Sequence, residues 1–286
     1  MFVQHSTRYK DVPSWGLSDS FWERIKPFIP KPRSRWRGRG QYCKHIGGGP
    51  AAEPRQVMAG ILYVLRTGCQ WNAVSREYGS GKTLHRYFQR WTRAGVFKKL
   101  WKSGLEEYAE VKGIEWKWQA ADGVITKSPL GGQATGANPT DRGKRGTKRS
   151  MLVETQGVPI ALDVGPAQRP DVKLLAATLE AVGVEPPDPN EPQQHLSLDK
   201  AYAGAPAQHL AEEKGYEVHV SDKANAKKER KRKSGRRKAR RWVVEVTHSW
   251  LNRFRRLLVK WEKKTSNYLS MLYFACAIIC WRKCEV

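Results

Sequence analysis

Acidic residues are scarce in this sequence: 27 Asp and Glu stand against 52 Lys and Arg in 286 residues, leaving a formal charge of +25. A chain this basic repels itself unless it meets a polyanion. Nucleic acid is the usual one, because each neutralised phosphate releases a counterion; an anionic membrane surface is the rival. Long apolar runs are also missing, and nothing reaches the roughly 18–20 residues that a spanning helix needs. The longest run, Leu269 to Trp281, is interrupted by Ser270 and followed by Arg282 and Lys283, so it reads as a buried C-terminal helix. No apolar signal segment opens the chain. Cysteine is sparse and odd in number, five in all, which argues against a disulfide framework and makes the cytoplasm the expected compartment. Cys276, Cys280 and Cys284 repeat every four residues, a spacing that raises a metal site. With no His or Asp beside them they read better as small hydrophobes on a buried helix.

What is present is 40% hydrophobic, enough for one large domain or two modest ones. Three regimes follow one another. Residues 1 to about 110 are helical in pattern and rich in Trp, with an Arg-, Gly- and Pro-dense loop from Pro30 to Pro54. From about 115 to 222 short apolar runs alternate with Gly and Pro, the look of a mixed sheet. From about 223 the chain turns basic, then helical again. Strands are predicted at Trp116 to Ile125, Ser150 to Glu154, Pro159 to Val164, Gln194 to Asp199 and Tyr216 to Val220, and helices at Asp171 to Val182 and Pro206 to Lys214. Three strands, helix, strand, helix, strand and a closing helix is the order of a ribonuclease H-like fold, an order many α/β proteins share. The expected architecture is an all-helical domain over 1–110 and a ribonuclease H-like α/β domain over 111–286, with a basic insertion at 223–241.

Two aspartates close predicted strands, Asp122 the first and Asp199 the fourth. Either alone could be a turn former. In a ribonuclease H-like sheet, however, the first and fourth strands are parallel neighbours, so their C-terminal ends lie side by side. Two carboxylates there repel unless a cation lies between them. A third, Glu245 on the closing helix, would complete a hard oxygen site suited to Mg²⁺ or Mn²⁺. Two such ions can activate an attacking oxygen and stabilise a leaving one in phosphoryl transfer. Asp141, Asp163 and Asp171 are rival ligands. The periodicity of Val244, Thr247, Leu251, Phe254, Leu258 and Trp261 predicts one apolar helical face, with Glu245, Ser249, Asn252 and Arg256 on another.

The stretches Ala137 to Ser150, Leu198 to Tyr202, Arg241 to Leu257 and Ile61 to Trp71 together resemble transposases of the IS5 family of bacterial insertion sequences, within the DDE group. The likeness runs from about residue 15 to 283. It implies that Asp122, Asp199 and Glu245 are the catalytic, metal-holding triad, and that the chain cuts and joins double-stranded DNA at transposon ends and target. It also implies a homodimer or larger assembly, since two ends are treated together. The chain departs from the family pattern at Val246, where an arginine is expected. In the tyrosine-arginine-glutamate-lysine signature, Lys238 and Asn252 replace the tyrosine and the lysine, and Arg253 is one place beyond the latter. The alternative reading is a catalytically inactive or repurposed sequence-specific DNA-binding protein.

Residues 55–93 form a helix-turn-helix candidate: a helix from Gln56 to Arg66, a short one from Asn72 to Tyr78, and a third from Thr83 to Arg93. Lys82, His85, Arg86, Gln89 and Arg90 would occupy the exposed side of the third, where Arg suits guanine edges and Gln adenine edges. Gly79-Ser80-Gly81-Lys82-Thr83 is no phosphate loop, since Arg76 stands where the first glycine is required and no strand precedes it. The Gly-rich stretch from Gly131 to Arg149 reads as a loop touching DNA phosphates through Arg142, Lys144, Arg145 and Lys148. The tract from Lys227 to Arg241 is expected to grip phosphates through Lys231, Arg232, Arg236, Arg237 and Arg241, with Arg253 adding to it.

Overall fold

The computed structural model describes residues 16–31, 36–37, 44–45, 51–187, 193–220 and 242–285. They fall into two compact units, Met1–Val96 and Phe97–Val286.

In the first unit, α1 (Asp19–Ile25) starts at Ser18, whose Oγ accepts the Phe21 N–H. Within the stretch expected to be a loop, β1 (Trp36–Arg37) and β2 (Lys44–His45) pair antiparallel. Then come α2 (Pro54–Thr67) and α3 (Gly81–Arg93). Glu53 caps α2 and Gly68, at φ 72°, ends it in the left-handed region that glycine tolerates. Val57, Met58, Ile61, Leu62 and Leu65 of α2, with Leu84, Phe88 and Trp91 of α3, make the core. Between the two helices the short helix expected at Asn72 to Tyr78 does not form. Two 3₁₀ turns, Trp71–Ala73 and Arg76–Tyr78, stand there instead, broken by extended backbone at Val74 and Ser75. The start of α3 presses on the first turn so closely that a Cβ on Gly81 would sit 1.8 Å from the Trp71 carbonyl oxygen. Ser80 caps α3 by accepting the Thr83 N–H at 3.2 Å, so Gly79 to Thr83 is a helix start in structure as well as in pattern.

All of α4 (Val96–Val111) but its first residue belongs to the second unit, which thus begins before the expected boundary near 110. Packing explains its membership: Phe97 meets Phe274 at 5.5 Å, and Trp101 stacks on Tyr273 while its indole N–H donates to the Pro159 carbonyl at 3.0 Å. The strands are β3 (Trp118–Lys127), β4 (Gly136–Ala137), β5 (Arg145–Glu154), β6 (Pro159–Pro166), β7 (Gln194–Leu198) and β8 (Tyr216–Val220). Helices α5 (Asp171–Glu180) and α6 (Ala205–Glu212) lie between β6 and β7 and between β7 and β8. α7 (Trp242–Asn252) and α8 (Thr265–Glu285) close the unit. Sheet order is β6-β5-β3-β7-β8, with β4 beside the start of β5. β3, β5 and β6 run antiparallel, whereas β7 and β8 run parallel to β3. That is the ribonuclease H-like arrangement.

Two expectations are corrected. β5 begins at Arg145, not Ser150, so the basic loop is shorter than Gly131 to Arg149. Lys148 and Arg149 are buried strand residues. The apolar helical face after Glu245 also stops early. α7 ends at Asn252 and Phe254 is extended, so Val244, Thr247 and Leu251 are buried as predicted, while Leu258 and Trp261 are 49% and 41% exposed. Arg256, expected on the polar face, is buried and paired with Glu262 at 2.8 Å. α8 buries Met271, Leu272, Phe274, Cys276, Ile278, Cys280 and Trp281. Burial pushes the Cys276 and Cys280 thiols up, which disfavours the thiolate a metal would need. No helix among the described residues is long and apolar enough to cross a membrane.

Candidate active site

Asp122 lies within β3 and is half-buried; Asp199 follows the last residue of β7. The parallel register pairs Trp118 with His195, Gln119 with Leu196 and Ala120 with Ser197, a constant offset of 77 residues. Carried on by two residues, the same offset sets Asp122 level with Asp199, since 199 − 122 is also 77. Each carboxylate also fixes its local backbone. Asp122 Oδ1 accepts the Gly123 N–H at 2.8 Å, and Asp199 Oδ1 accepts the Lys200 N–H at 2.6 Å, starting the 3₁₀ turn Lys200–Tyr202.

That turn delivers Tyr202, which sequence reasoning had not singled out although it closes the matched stretch Leu198 to Tyr202. Its ring is buried, and its hydroxyl lies 3.6 Å from where a Cβ on Gly123 would be. Burial pushes the phenol well above its usual range, and the negative fields of Asp171, Asp122 and Asp199 push it further. Asp171, a rival ligand in the sequence, is the first residue of α5 after Pro170, and it pairs with Lys148 at 2.7 Å. Lys148 also donates to the Arg169 carbonyl at 3.0 Å. With its amine held inside the protein, Lys148 is withdrawn from the expected phosphate contacts.

Glu245 is exposed in the first turn of α7, a helix that packs on β3 and β5. Two side chains fasten this helix. Thr247 Oγ1 donates to the Gly157 carbonyl at 2.7 Å, and Asn252 Oδ1 accepts from Arg149 Nη2 at 2.8 Å. One turn beyond Glu245, the His248 ring is buried. Burial, and secondarily the charge of Arg149, push its pKa down to about 3, while the neighbouring Asp122 main chain pulls the other way. His248 makes no hydrogen bond of ordinary geometry, and its ring is buried in a helix that packs on β3 and β5.

The rival aspartates sit differently. Asp141 is paired with Lys144 at 3.7 Å and Lys127 at 3.8 Å. Register settles Asp163: it shares a row with Ser150 and Gly123, whereas Asp122 shares its row with Met151 and Leu162. Side chains alternate along a strand, so Asp163 faces the opposite side of the sheet from Asp122.

On α3, Lys82 and Arg86 are exposed. His85 packs on Trp71 with centroids 5.1 Å apart and bonds the Gln89 amide at 3.2 Å, and Arg90 donates to the Lys31 carbonyl at 3.0 Å. Arg142 and Lys144 lie exposed in the turn before β5, Arg145 is exposed at its start, and Arg253 is exposed just after α7. Lys231, Arg232, Arg236, Arg237 and Arg241 lie outside the described residues.

A ribonuclease H-like sheet with one aspartate within its central strand and another just after the parallel neighbour fits a class of enzyme that moves phosphoryl groups on nucleic acids. Family comparison makes this particular. Residues 119–280 match the model described as "Transposase DDE domain", and residues 17–101 match "Putative transposase of IS4/5 family". The chain belongs to the DDE transposases, as a DNA transposase of the IS4/5 group. It is 30% identical over 164 residues to a Burkholderia cepacia protein named "Putative transposase for insertion sequence element IS402", covering 55% of this chain and 74% of that one. A second protein of the same organism, "Insertion element IS402 uncharacterized 16.2 kDa protein", is 30% identical over 125 residues, 43% of this chain and 80% of its own. Among solved structures, a pre-cleavage Mos1 transpososome is 10% identical with a TM-score of 0.28, covering 84% of this chain and 82% of that one. At those values the fold assignment rests on the strand order rather than on that likeness. DDE transposases use divalent metal.

Proposed function

We propose that this transposase binds the inverted-repeat ends of an insertion sequence, nicks them hydrolytically and transfers the 3′ ends to target DNA, with Asp122, Asp199 and Glu245 holding two ions, Mg²⁺ or Mn²⁺. The observation that carries the reading is the parallel register of β3 and β7, whose offset, continued two residues past the paired Ala120 and Ser197, brings Asp122 and Asp199 to one row, with α7 packed on β3 and β5. The donor set fits: carboxylate oxygens are the ligands hard divalent cations prefer, and the negative fields of Asp122 and Asp199, with that of Asp171, already act on the Tyr202 hydroxyl. When bound, the ions supply the positive charge that activates an attacking oxygen and steadies a leaving one. The chain's own groups do the rest. Tyr202 stays protonated and offers a hydroxyl donor beside the aspartates. Lys148 neutralises Asp171 and so keeps a further carboxylate out of the set. Lys82 and Arg86 on α3, with Arg142, Lys144, Arg145, Arg253 and the tract from Lys227 to Arg241, supply positive charge for DNA. Two ends handled together call for a dimer or larger assembly on the DNA. The non-catalytic alternative has no observation in its favour.

Purified protein incubated with duplex bearing the element's own ends should release 3′-hydroxyl ends only when Mg²⁺ or Mn²⁺ is present, and should yield joined products when target DNA is added. Absence of metal-dependent cleavage would sink the proposal; cleavage with no joined product would reassign the chain as a nuclease.

End recognition has its own expected result. Arg86→Ala should reduce discrimination between end and random DNA by about 1–3 kcal/mol, the worth of a good bidentate base contact. Gln89→Ala should cost less, because its amide already holds His85. Competition binding with both DNAs measures this, and an equal loss on the two would make α3 a phosphate contact.

A further inference from the structure

Across the sheet face that carries Asp122, but toward the opposite end of its strands, His195, Glu217 and His219 converge. Register aligns Trp118 of β3 with His195 of β7 and Glu217 of β8, and His219 lies two residues further along β8 on the same face. His195 Nδ1 is 3.0 Å from His219 Nε2 and 3.2 Å from Glu217 Oε2, and His219 Nε2 is 3.5 Å from Glu217 Oε1. Ligand atoms on a tetrahedral Zn²⁺ with bonds of about 2.0–2.2 Å stand about 3.3–3.6 Å apart; here one ligand atom from each of the three residues lies within 4.8 Å of the other two, so small side-chain rotations bring the three onto one ion. Trp118 stacks on His195 at 4.3 Å and reaches His219 at 4.8 Å, holding both rings. We propose that His195, Glu217 and His219 form a binding site for a borderline transition-metal ion of the Zn²⁺ class, separate from the Asp122–Asp199–Glu245 site, that clamps β7 to β8.

Charge and donor chemistry support this. Two imidazole nitrogens facing each other at 3.0 Å beside a carboxylate present more lone pairs than their own protons can satisfy. Imidazole donors select Zn²⁺ and its neighbours over Mg²⁺, so this site and the carboxylate site do not compete for one ion. His195 and Asp199 are four strand residues apart, about 13 Å at strand rise, so the ion does not touch the reacting groups. It fixes the strand at whose end Asp199 stands. Three protein ligands leave a fourth position for water, and His219 and Glu217, 39% and 56% exposed, let the ion in.

Full-length protein stripped with chelator and titrated with Zn²⁺ tests this. One equivalent should bind, and the melting temperature should rise by about 5 °C or more at Zn²⁺ far above Kd. Cobalt(II) should give visible absorption of a four-coordinate N/O site. His219→Ala and Glu217→Gln, both at the exposed edge, should fold with unchanged metal-free melting and weaken Zn²⁺ by at least about 100-fold. His195→Ala should do the same if it folds. The triple variant Asp122→Asn, Asp199→Asn, Glu245→Gln should retain the equivalent, which separates this site from the triad. No equivalent bound by the unmodified chain, or binding undiminished in both His219→Ala and Glu217→Gln, overturns the proposal.

Discussion

Asp122→Asn, Asp199→Asn and Glu245→Gln should each lower DNA cleavage and joining by at least about 1000-fold, roughly 4 kcal/mol of transition-state stabilisation. End binding should stay within a few-fold, because these groups hold cations and DNA is gripped by the basic side chains. The amide replacements keep size and shape, so α7 and the β7 turn should be undisturbed, which circular dichroism checks. Tyr202→Phe gives a graded comparison: it removes one hydroxyl beside the aspartates and no metal ligand, so a much smaller loss is expected. Single-turnover cleavage on pre-bound ends separates chemistry from affinity. Any of the three carboxylate variants that nicks at near-normal rate leaves the triad.

A second large effect should appear on acidification. The unfolded chain takes a proton on His248 near pH 6.5, whereas the folded ring holds out to about pH 3. Between those values the unfolded state binds more protons, so stability rises with pH through this window and is lost as pH falls from about 6.5 toward 3. At about 1.4 kcal/mol per unit, the full span is on the order of 4–5 kcal/mol, a large share of a domain's stability. Glu154 and Asp163, pushed up mainly by burial, act in the opposite direction at low pH, so the contrast between variants is the clean measurement. Denaturant unfolding of the unmodified protein and of His248→Gln at pH 4 to 7 should show a shallower slope in the variant by up to about 1.4 kcal/mol per pH unit. Parallel slopes would mean the ring is not held neutral against β3. Because His248 lies one turn from Glu245, cleavage should fail on acidification together with the packing of α7.

Where local pattern decides structure, the sequence was legible. β8 falls where alternation predicted it, and β3 and α5 lie within two residues. Strand order alone made β3 and β7 parallel neighbours, but Asp122 does not close its strand as expected: pairing with β5 carries β3 on to Lys127. The failures share a cause, which is that tertiary partners decide. Lys148 and Arg149 look like loop cations until Asp171 and Asn252 are known to receive them. Leu258 and Trp261 keep the helical period after the helix has ended at Asn252. Asp163 could not be assigned a face without the β5–β6 register. His195, Glu217 and His219 carry no motif, since β7 and β8 meet only after a helix has intervened.

The register that sets Asp122 beside Asp199 also has a temporal consequence. Synthesis runs from the N-terminus, and a ribosome completes the whole of Met1–Val96 before it reaches the first of the three carboxylates. The third arrives 123 residues after the first (245 − 122), on a helix fastened by Thr247 and Asn252, which come later still. Every product that stops short of α7 therefore carries the α3 surface without a complete donor set. On the proposed reading of α3 and the three carboxylates, premature termination or a late frameshift would yield a chain that holds transposon ends without cutting them.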